Sequence, residues 1–483
     1  MTDSTATAVP LVVDLDGTLI KTDLLQETAN WFLTRRRLQG FRLIGWLASG
    51  RCALKARLAE ARDIDPASLP YHAPLLAWLR EQKARGRRLV LATASHRRLA
   101  ETVAHHLDLF DEVLASEHDT NLKSAHKRDR LVSRYGEGGY DYVGDAAADL
   151  VVWRSARQAY VVSSSPCLID QVRTLGNLTG VFGDHRAPIL GSLLKALRPH
   201  QWLKNLLLLV PLLTAHRYGD PASLLAILQA FVAFGFTASS VYLLNDLADL
   251  DDDRHHPRKR HRPFAAGDLS LLLGWLVWPG LLVPAFVIAA LALPTSFLAT
   301  LAAYFALTLA YSLALKRIFL VDVLTLAGLY TLRIVAGAAA IGVAASFWLL
   351  LFSVFFFLSL AFIKRYGEIE AGLASGRRGR LRGRGYLHED LATVAILGTG
   401  AGLVSVLVLA LYIQDSHTAQ MYHTPGLIGL ACPLLLFWLA RAWLVAHRGQ
   451  MHDDPLVFAL KDRASWLVGL GFVTVFGLAG AVA

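Results

Sequence analysis

Two kinds of hydrophobic patterning divide this chain. Over residues 9–182, short apolar runs of strand length alternate with longer helix-like stretches. From about residue 198, long apolar stretches alternate with short polar loops. In the first region Val9–Asp14, Arg88–Thr93, Glu112–Ala115, Asp141–Gly144 and Ala159–Ser163 read as strands. Their alternation with helical segments predicts a parallel sheet with crossover helices, an α/β domain. Leu24–Ala67 interrupts that order. It is helical, carries several Trp, Leu and Arg residues, and reads as a cap inserted after the first strand. Residues 183–197 read as a linker between domains 1–182 and 198–483.

A helix needs about 20 apolar residues to cross the hydrocarbon of a bilayer. About nine segments qualify: 202–216, 222–244, 270–290, 295–314, 320–342, 346–363, 392–413, 424–444 and 465–482. The first is short and contains Pro211. An all-α polytopic membrane domain is therefore expected. With nine alternating spans, the loops 245–268, 364–390 and 445–464, together with Lys316 and Arg317, fall on one side. The opposite loops hold a single basic residue, Arg217. Cytoplasmic loops collect Lys and Arg, so the basic loops are expected in the cytoplasm. Residues 1–10 show no basic stretch leading into an apolar core, so no cleaved leader is expected. The soluble domain then shares the cytoplasmic side, and an inner bacterial membrane is the natural home.

Charge and cysteines change this picture little. The net charge of +10 in a chain that is 54% hydrophobic follows from the basic loops, and no groove-reading motif accompanies it, so nucleic acid is not an expected partner. The Arg-rich stretch 377–384 reads as a solvated loop. Cys52, Cys167 and Cys432 are too scattered for a disulfide framework or a metal site. A homo-oligomer stays open.

Candidate chemistry begins at Asp14-Leu15-Asp16-Gly17-Thr18, directly after the first strand. A strand-end Asp14 can attack phosphorus, while Asp16 can protonate the leaving oxygen and then activate water. Gly17 allows a tight turn and Thr18 can help hold it. Two carboxylates facing a phosphate repel it, which calls for Mg²⁺ between them. Thr93 can bind a phosphate oxygen, and Lys127 supplies positive charge with Lys123 as its rival. In Gly144-Asp145-Ala146-Ala147-Ala148-Asp149, Asp145 is a metal ligand and Asp149 a supporting residue. This ordered set resembles the haloacid-dehalogenase superfamily of phosphatases. The resemblance implies a Rossmann-like sheet with a small cap, an aspartyl-phosphate intermediate, and Mg²⁺ on Asp14, Asp16 and Asp145.

A second acidic signal, Asn245-Asp246-Leu247-Ala248-Asp249-Leu250-Asp251-Asp252-Asp253, ends the second span. Asp246, Asp249 and Asp253 fall on one face of a continuous helix. Converging carboxylates at a membrane need a cation among them, and Mg²⁺ bridging a diphosphate is the natural occupant. Arg258, Lys259 and Arg262 follow and can hold phosphates. The adjacent His255, His256 and His261 read as loop residues. The pattern resembles the UbiA superfamily of intramembrane transferases, whose members carry nine helices around a cavity open to lipid. A second acidic motif, DxxxD, is usual in that superfamily. Here Asp322 is present, but Leu326 replaces its partner.

Further segments narrow the resemblance. Arg198–Asn205 (RPHQWLKN), Tyr311–Lys316 (YSLALK), Leu332–Gly337 around Arg333, Lys364–Glu368 (KRYGE) and Asp454–Ala459 (DPLVFA) are together similar to the decaprenyl-phosphate phosphoribosyltransferase branch. The resemblance implies phosphoribosyl pyrophosphate as donor and a polyprenyl phosphate as acceptor. Lys316, Asp322, Lys364 and Arg365 become candidate substrate-binding residues. Lys204 or Arg333 is the candidate cation for the lipid phosphate, although Arg333 can also be read as half of an internal salt bridge to an Asp such as Asp322.

Joining the halves gives a bifunctional enzyme. The membrane domain would attach 5-phosphoribose to the lipid, and the phosphatase would remove the 5-phosphate. One rival is a prenyltransferase with an aromatic or lipid acceptor and an unrelated phosphatase. Another is a transporter or scaffold with a regulatory phosphatase; it would need polar residues distributed along the spans, whereas the acidic residues here cluster at one membrane face.

Overall fold

The computed structural model describes residues 9–117, 121–183, 186–374, 379, 381, 384–414, 422, 424–451 and 454–481. Arg377, Arg378, Arg380 and Arg382 of the basic loop lie outside the described residues. The chain forms two compact units. One holds Met1–Arg198 with Tyr242–Pro279, and the other Pro199–Val241 with Gly280–Ala483. The segment 242–279 thus belongs with the soluble domain.

The first unit contains a six-stranded sheet. The strands are β1 (Leu11–Val13), β2 (Leu89–His96), β3 (Glu112–Ser116), β4 (Asp141–Gly144), β5 (Gln158–Val162) and β6 (Leu178–Phe182). Their order is β3-β2-β1-β4-β5-β6, and every pairing is parallel. Leu11 and Val13 enter one apolar cluster with Leu89 and Leu91, while Val12 enters another with Val90 and Tyr142. Both faces of the central strands are therefore buried, as parallel sheets require. The strand β6 was not anticipated. Its LTGVF sequence is short, contains Gly180, and is nowhere fully buried at the sheet edge.

The cap is helical as expected: α1 (Leu24–Arg35), α2 (Arg42–Ala48) and α3 (Arg51–Ala61). Asp23 caps α1 by accepting from the Leu25 and Gln26 N–H groups. Within the same unit α1 holds segment 242–279. Asn30 Nδ2 donates to the Leu247 carbonyl at 2.9 Å, and Trp275 Nε1 donates to Asn30 Oδ1 at 3.0 Å. Glu27 and Arg254 form an almost fully buried ion pair at 2.7 Å.

Seven helices among the described residues are long and apolar enough to cross a membrane: Pro221–Ala248, Leu271–Ala292, Thr295–Leu313, Val321–Ala340, Phe347–Ala374, His388–Gln414 and Gly426–His447. The protein is an integral membrane protein. The C-terminal helix Arg463–Ala481 has a shorter apolar stretch, 463–479. The expected first span, 202–216, departs from a full-length helix. Residues Pro199–Leu209 form a 3₁₀ run and Val210–Thr214 one short helical turn. Pro211 has no N–H with which to continue a helix entering from before it. In the second unit one apolar cluster gathers Val323, Tyr330, Phe357, Leu360 and Trp438, and another Leu208, Phe234, Phe297 and Tyr304.

Candidate functional site

At the C-terminal edge of the sheet, Asp14 follows β1, Asp16 lies two residues on, Thr93 is inside β2, and Asp145 follows β4. Gly17 turns the chain at φ +79°, and a Cβ there would lie 2.2 Å from Asp145 Oδ2, so the turn requires glycine. Thr18 Oγ1 donates to Asp145 Oδ1 at 3.0 Å. Lys127 comes from the helix Ala125–Tyr135; its ammonium is 2.7 Å from Asp14 Oδ2 and 3.9 Å from Asp149 Oδ1, and it donates to the Tyr142 hydroxyl. Tyr142 in turn donates to Asp149 Oδ1 at 2.9 Å. The rival Lys123 is exposed.

Asp14, Asp145 and Asp149 each bring one oxygen within 4.8 Å of the others, a group able to hold a metal ion. Asp149, expected as a supporting residue, joins this group. The carboxylate of Asp16, expected among the ligands, is engaged elsewhere. It accepts from Ser95 Oγ at 2.6 Å, Thr93 Oγ1 at 3.2 Å and the Leu24 N–H at 2.9 Å. Burial, reinforced by the Asp23 charge, pushes Asp16 up to about 7. Burial and the neighbouring Asp14 push Asp145 up to about 7 as well. Burial alone would lower Lys127, but Asp14 and Asp149 outweigh it and hold the ammonium above its ordinary range. Such an excess of buried carboxylate suits a divalent cation.

The acidic motif has a different balance. The helix Pro221–Ala248 ends before Asp249, and a separate short helix, Leu250–His255, begins after it. Asp246, Asp249 and Asp253 are therefore not on one continuous helical face. Arg198 Nη2 donates to both oxygens of Asp246 at 2.6 and 2.9 Å. Arg262 Nη1 bridges Asp246 Oδ1 at 3.1 Å and Asp253 Oδ2 at 2.6 Å. Burial pushes Asp253 up to about 6 despite Arg262. Asp246, Asp249 and Asp253 do not form a preformed metal group among the described residues. Asn245 accepts the Asp249 N–H through its carbonyl, and Arg258 and Lys259 are exposed. His255 contacts the Asp251 carbonyl and Asp65, in keeping with a loop role.

The second unit brings the remaining candidates into two networks. Asp322, fully buried, pairs with the Arg365 guanidinium. Tyr311 donates to Asp322 Oδ1 at 2.8 Å and Arg384 reaches Tyr311 at 3.0 Å, while Arg365 also pairs with Glu368. Arg384 is thus engaged, whereas its loop was expected to be solvated. In the other network Asp454 Oδ2 bridges Lys204 at 2.8 Å and Lys364 at 3.2 Å. Burial alone would raise Asp454; those two ammonium groups outweigh it and hold the carboxyl well below its ordinary range. Arg333 makes no salt bridge to Asp322. It donates to Asn205, Tyr304 and the Leu329 carbonyl, and lies over the Tyr304 ring at 4.8 Å. Lys316 is half-buried in a 3₁₀ turn, Leu315–Arg317.

A family model described as UbiA prenyltransferase matches residues 206–473, and one described as haloacid dehalogenase-like hydrolase matches residues 11–151. The chain belongs to the UbiA prenyltransferase family. It joins a UbiA-type transferase domain to a haloacid-dehalogenase-like hydrolase domain. An uncharacterised protein, y4nM, of Sinorhizobium fredii is 38% identical over 472 residues, covering 98% of this chain and 91% of that one. Nodulation protein NoeC of Azorhizobium caulinodans is 39% identical over 57% of this chain and 89% of its own. Decaprenyl-phosphate phosphoribosyltransferase of Mycolicibacterium smegmatis is 31% identical over 60% of this chain and 93% of its own.

Several engaged residues of this UbiA protein escaped the site reading from sequence. Ser95 lies in an ordinary strand-end sequence, and Tyr142 looks like a core aromatic. Arg198 and Asp454 stood inside quoted motifs, yet nothing in their local spacing marked them as carboxylate and lysine partners. The one local signal at Arg198 is conformational: it ends the helix Ile189–Leu197 at φ +52°, unusual for a residue with a side chain.

Proposed function

We propose that the chain transfers 5-phosphoribose from phosphoribosyl pyrophosphate to a polyprenyl phosphate and then removes the 5-phosphate with its hydrolase domain. Both reactions are assigned to the cytoplasmic face of a bacterial inner membrane. The observation carrying this reading is that the DxDGT site and the acidic motif share one compact unit. Leu24, the first residue of α1, donates its N–H to Asp16, and Glu27, one turn later, pairs with Arg254 beside Asp253. The name of a relative at 31% identity, decaprenyl-phosphate phosphoribosyltransferase, supports the phosphoribosyl group and the lipid-phosphate acceptor.

In the transfer step, a pyrophosphate offers the guanidinium groups of Arg198 and Arg262 an anion to hold in place of Asp246 and Asp253. The anomeric carbon loses its diphosphate and gains the lipid phosphate oxygen, which is already anionic and needs little help from a base. In the other unit, Lys204, Lys364 and Arg333 are the cations assigned to the anionic substrates, and Asp322 and Arg365 form a buried pair among the assigned residues. Asp246, Asp249 and Asp253 are the carboxylates assigned to a Mg²⁺ that would neutralise the departing diphosphate once Arg198 and Arg262 turn to its phosphates.

In the hydrolytic step, Asp14 attacks the 5-phosphate and the ribose oxygen leaves with a proton from Asp16. An aspartyl phosphate forms on Asp14. Asp16, now ionised, takes a proton from water, which attacks phosphorus and restores Asp14. Lys127 offsets the charge on Asp14 and Asp149 throughout. Mg²⁺ held by Asp14, Asp145 and Asp149 would supply charge neutralisation for the incoming phosphate. Tethering both sites in one chain raises the local concentration of the intermediate.

The test uses purified protein in nanodiscs with Mg²⁺, a polyprenyl phosphate and ribose-labelled phosphoribosyl pyrophosphate, read by mass spectrometry of the lipid. Wild type is expected to give ribosyl lipid, Asp14→Asn its 5-phosphorylated form, and Asp249→Asn neither. No labelled lipid from folded wild type across acceptor lengths would overturn the donor assignment and favour prenyl transfer.

A further inference from the structure

The cap carries a surface that the phosphatase chemistry does not use. Leu38, Phe41 and Ile44 are 93%, 70% and 75% exposed, and Leu47 is 54% exposed. The helix α2 buries none of its residues. Phe41, Ile44 and Leu47 recur every third position, so they line one side of that turn. Trp46 points the other way and packs on Phe32 of α1, with ring centroids 5.0 Å apart. The arrangement is therefore held in place while its apolar side is left uncovered. A contiguous run of large apolar side chains outside any membrane span marks a contact surface.

Charge indicates what covers it. Residues 28–59 contain no Asp or Glu, and seven Lys or Arg. Arg35, Arg36 and Arg42, which flank the apolar residues, are exposed. Apolar residues ringed by cations suit a surface that is oily below and anionic above, which is the interface of a bilayer rich in acidic lipids. A second copy of the same surface would bring like charges together. Nucleic acid would satisfy the arginines but leave Leu38 and Ile44 in water.

Position gives the third argument. The helix α1 is fastened to residues where the chain enters and leaves the membrane. Asn30 is bonded to the Leu247 carbonyl, one residue before the end of the spanning helix Pro221–Ala248. Gln26 Oε1 accepts from Ser270 Oγ and the Leu272 N–H, both at 3.1 Å, at the start of the spanning helix Leu271–Ala292. The cap tip follows directly from a helix fixed at the membrane face. We propose that residues 36–48 dock into the headgroup region of the anionic leaflet and hold the mouth of the phosphatase at the lipid surface. The site is thereby set to take a phosphomonoester carried on a lipid in preference to one dissolved in water. The lipid contact stands on its own; only this last consequence rests on the proposed phosphatase activity.

The test places a nitroxide at Ile44→Cys in the full chain, with Cys52, Cys167 and Cys432 replaced by Ser. A companion protein keeps the exposed Cys167 alone as a control on the same domain. Both are reconstituted in nanodiscs of phosphatidylcholine, with or without phosphatidylglycerol. Collision with oxygen reports lipid, and collision with a nickel chelate reports water. The label at position 44 is expected to favour oxygen over nickel several-fold more than the Cys167 label, most strongly with phosphatidylglycerol. Free access of nickel to position 44 in both discs would overturn the proposal. Shielding from both reagents would also overturn it, because it would mean a protein contact. Replacing Arg35, Arg36 and Arg42 by Gln should erase the preference for phosphatidylglycerol, and persistence of that preference would reject the electrostatic half. For the consequence, Ile44→Asp is expected to slow hydrolysis of a phosphomonoester anchored in vesicles while leaving p-nitrophenyl phosphate unaffected. Equal loss on both substrates would reject surface presentation without touching the phosphatase assignment.

Discussion

Beyond the ends of β1 and β4, Asp14, Asp145 and Asp149 crowd within 4.8 Å with the Lys127 ammonium in contact with Asp14. After the helix Pro221–Ala248, Asp246 and Asp253 meet Arg198 and Arg262 in equal number. Both sites are made of aspartates at short spacing, yet their charge accounts differ in kind. The first has more buried carboxylate than its own cations can offset, so it calls for a cation from outside. In the second, arginines already hold two of the three motif aspartates, so an incoming ligand must compete for those pairs. The spacing of acidic residues alone does not show which of them are already paired; the guanidinium groups within bonding distance do.

The largest expected effect separates the two sites directly. Asp14→Asn removes the attacking oxygen and should lower phosphatase turnover by on the order of a thousandfold or more. The same variant should leave transfer intact, so lipid product accumulates with its 5-phosphate. If both activities fell together, the sites would not be chemically separate. The metal dependence of the phosphatase comes next. EDTA should stop the phosphatase and Mg²⁺ restore it. Asp149→Asn should raise the Mg²⁺ needed for half-maximal rate by about 10–100-fold if Asp149 orients the other ligands. An unchanged Mg²⁺ requirement would remove Asp149 from the metal group.

The arginine-paired site predicts a loss of stability. Arg262 serves two buried carboxylates, and replacing it with Gln leaves Asp253 without its guanidinium partner. Arg262→Gln should lower the unfolding free energy by about 1–3 kcal/mol, since the arginine is partly solvated. Adding Asp253→Asn should recover part of that loss, measured by denaturation in detergent. No recovery in the double variant would mean that the pair is not energetically coupled.

Legibility from sequence followed the range of the interactions. The parallel sheet and the helical cap were readable because apolar periodicity and the strand-end DLDGT motif are local signals. The strand β6 was not, since an edge strand with Gly180 lacks the apolar run that marks a buried one. The acidic motif was readable as acidic, but its helix break at Asp249 and its pairing with Arg198, 48 residues away, were not. Arg333 could be flagged as a charge inside a span, yet its partners Asn205 and Tyr304 lie 128 and 29 residues distant. Asp322 carried the superfamily's second-motif signal, but Arg365 as its counterion emerges only when two spans pack together.

The smallest predicted effect is also the most specific to the excess of negative charge at the phosphatase site. Burial first, and the Asp23 charge second, lift Asp16 to about 7. As the acid for the leaving oxygen, Asp16 must be protonated, so turnover declines as pH rises through its pKa. Asp23→Asn removes one repelling charge and keeps an oxygen to cap α1 at the Leu25 and Gln26 N–H groups. The Asp16 pKa should therefore fall toward its ordinary value, by less than about one unit, because burial remains. The alkaline limb of the phosphatase profile should move to lower pH by the same amount, while the transfer profile stays where it was. A limb that stayed in place, with α1 intact by circular dichroism, would show that the proton comes from a group other than Asp16.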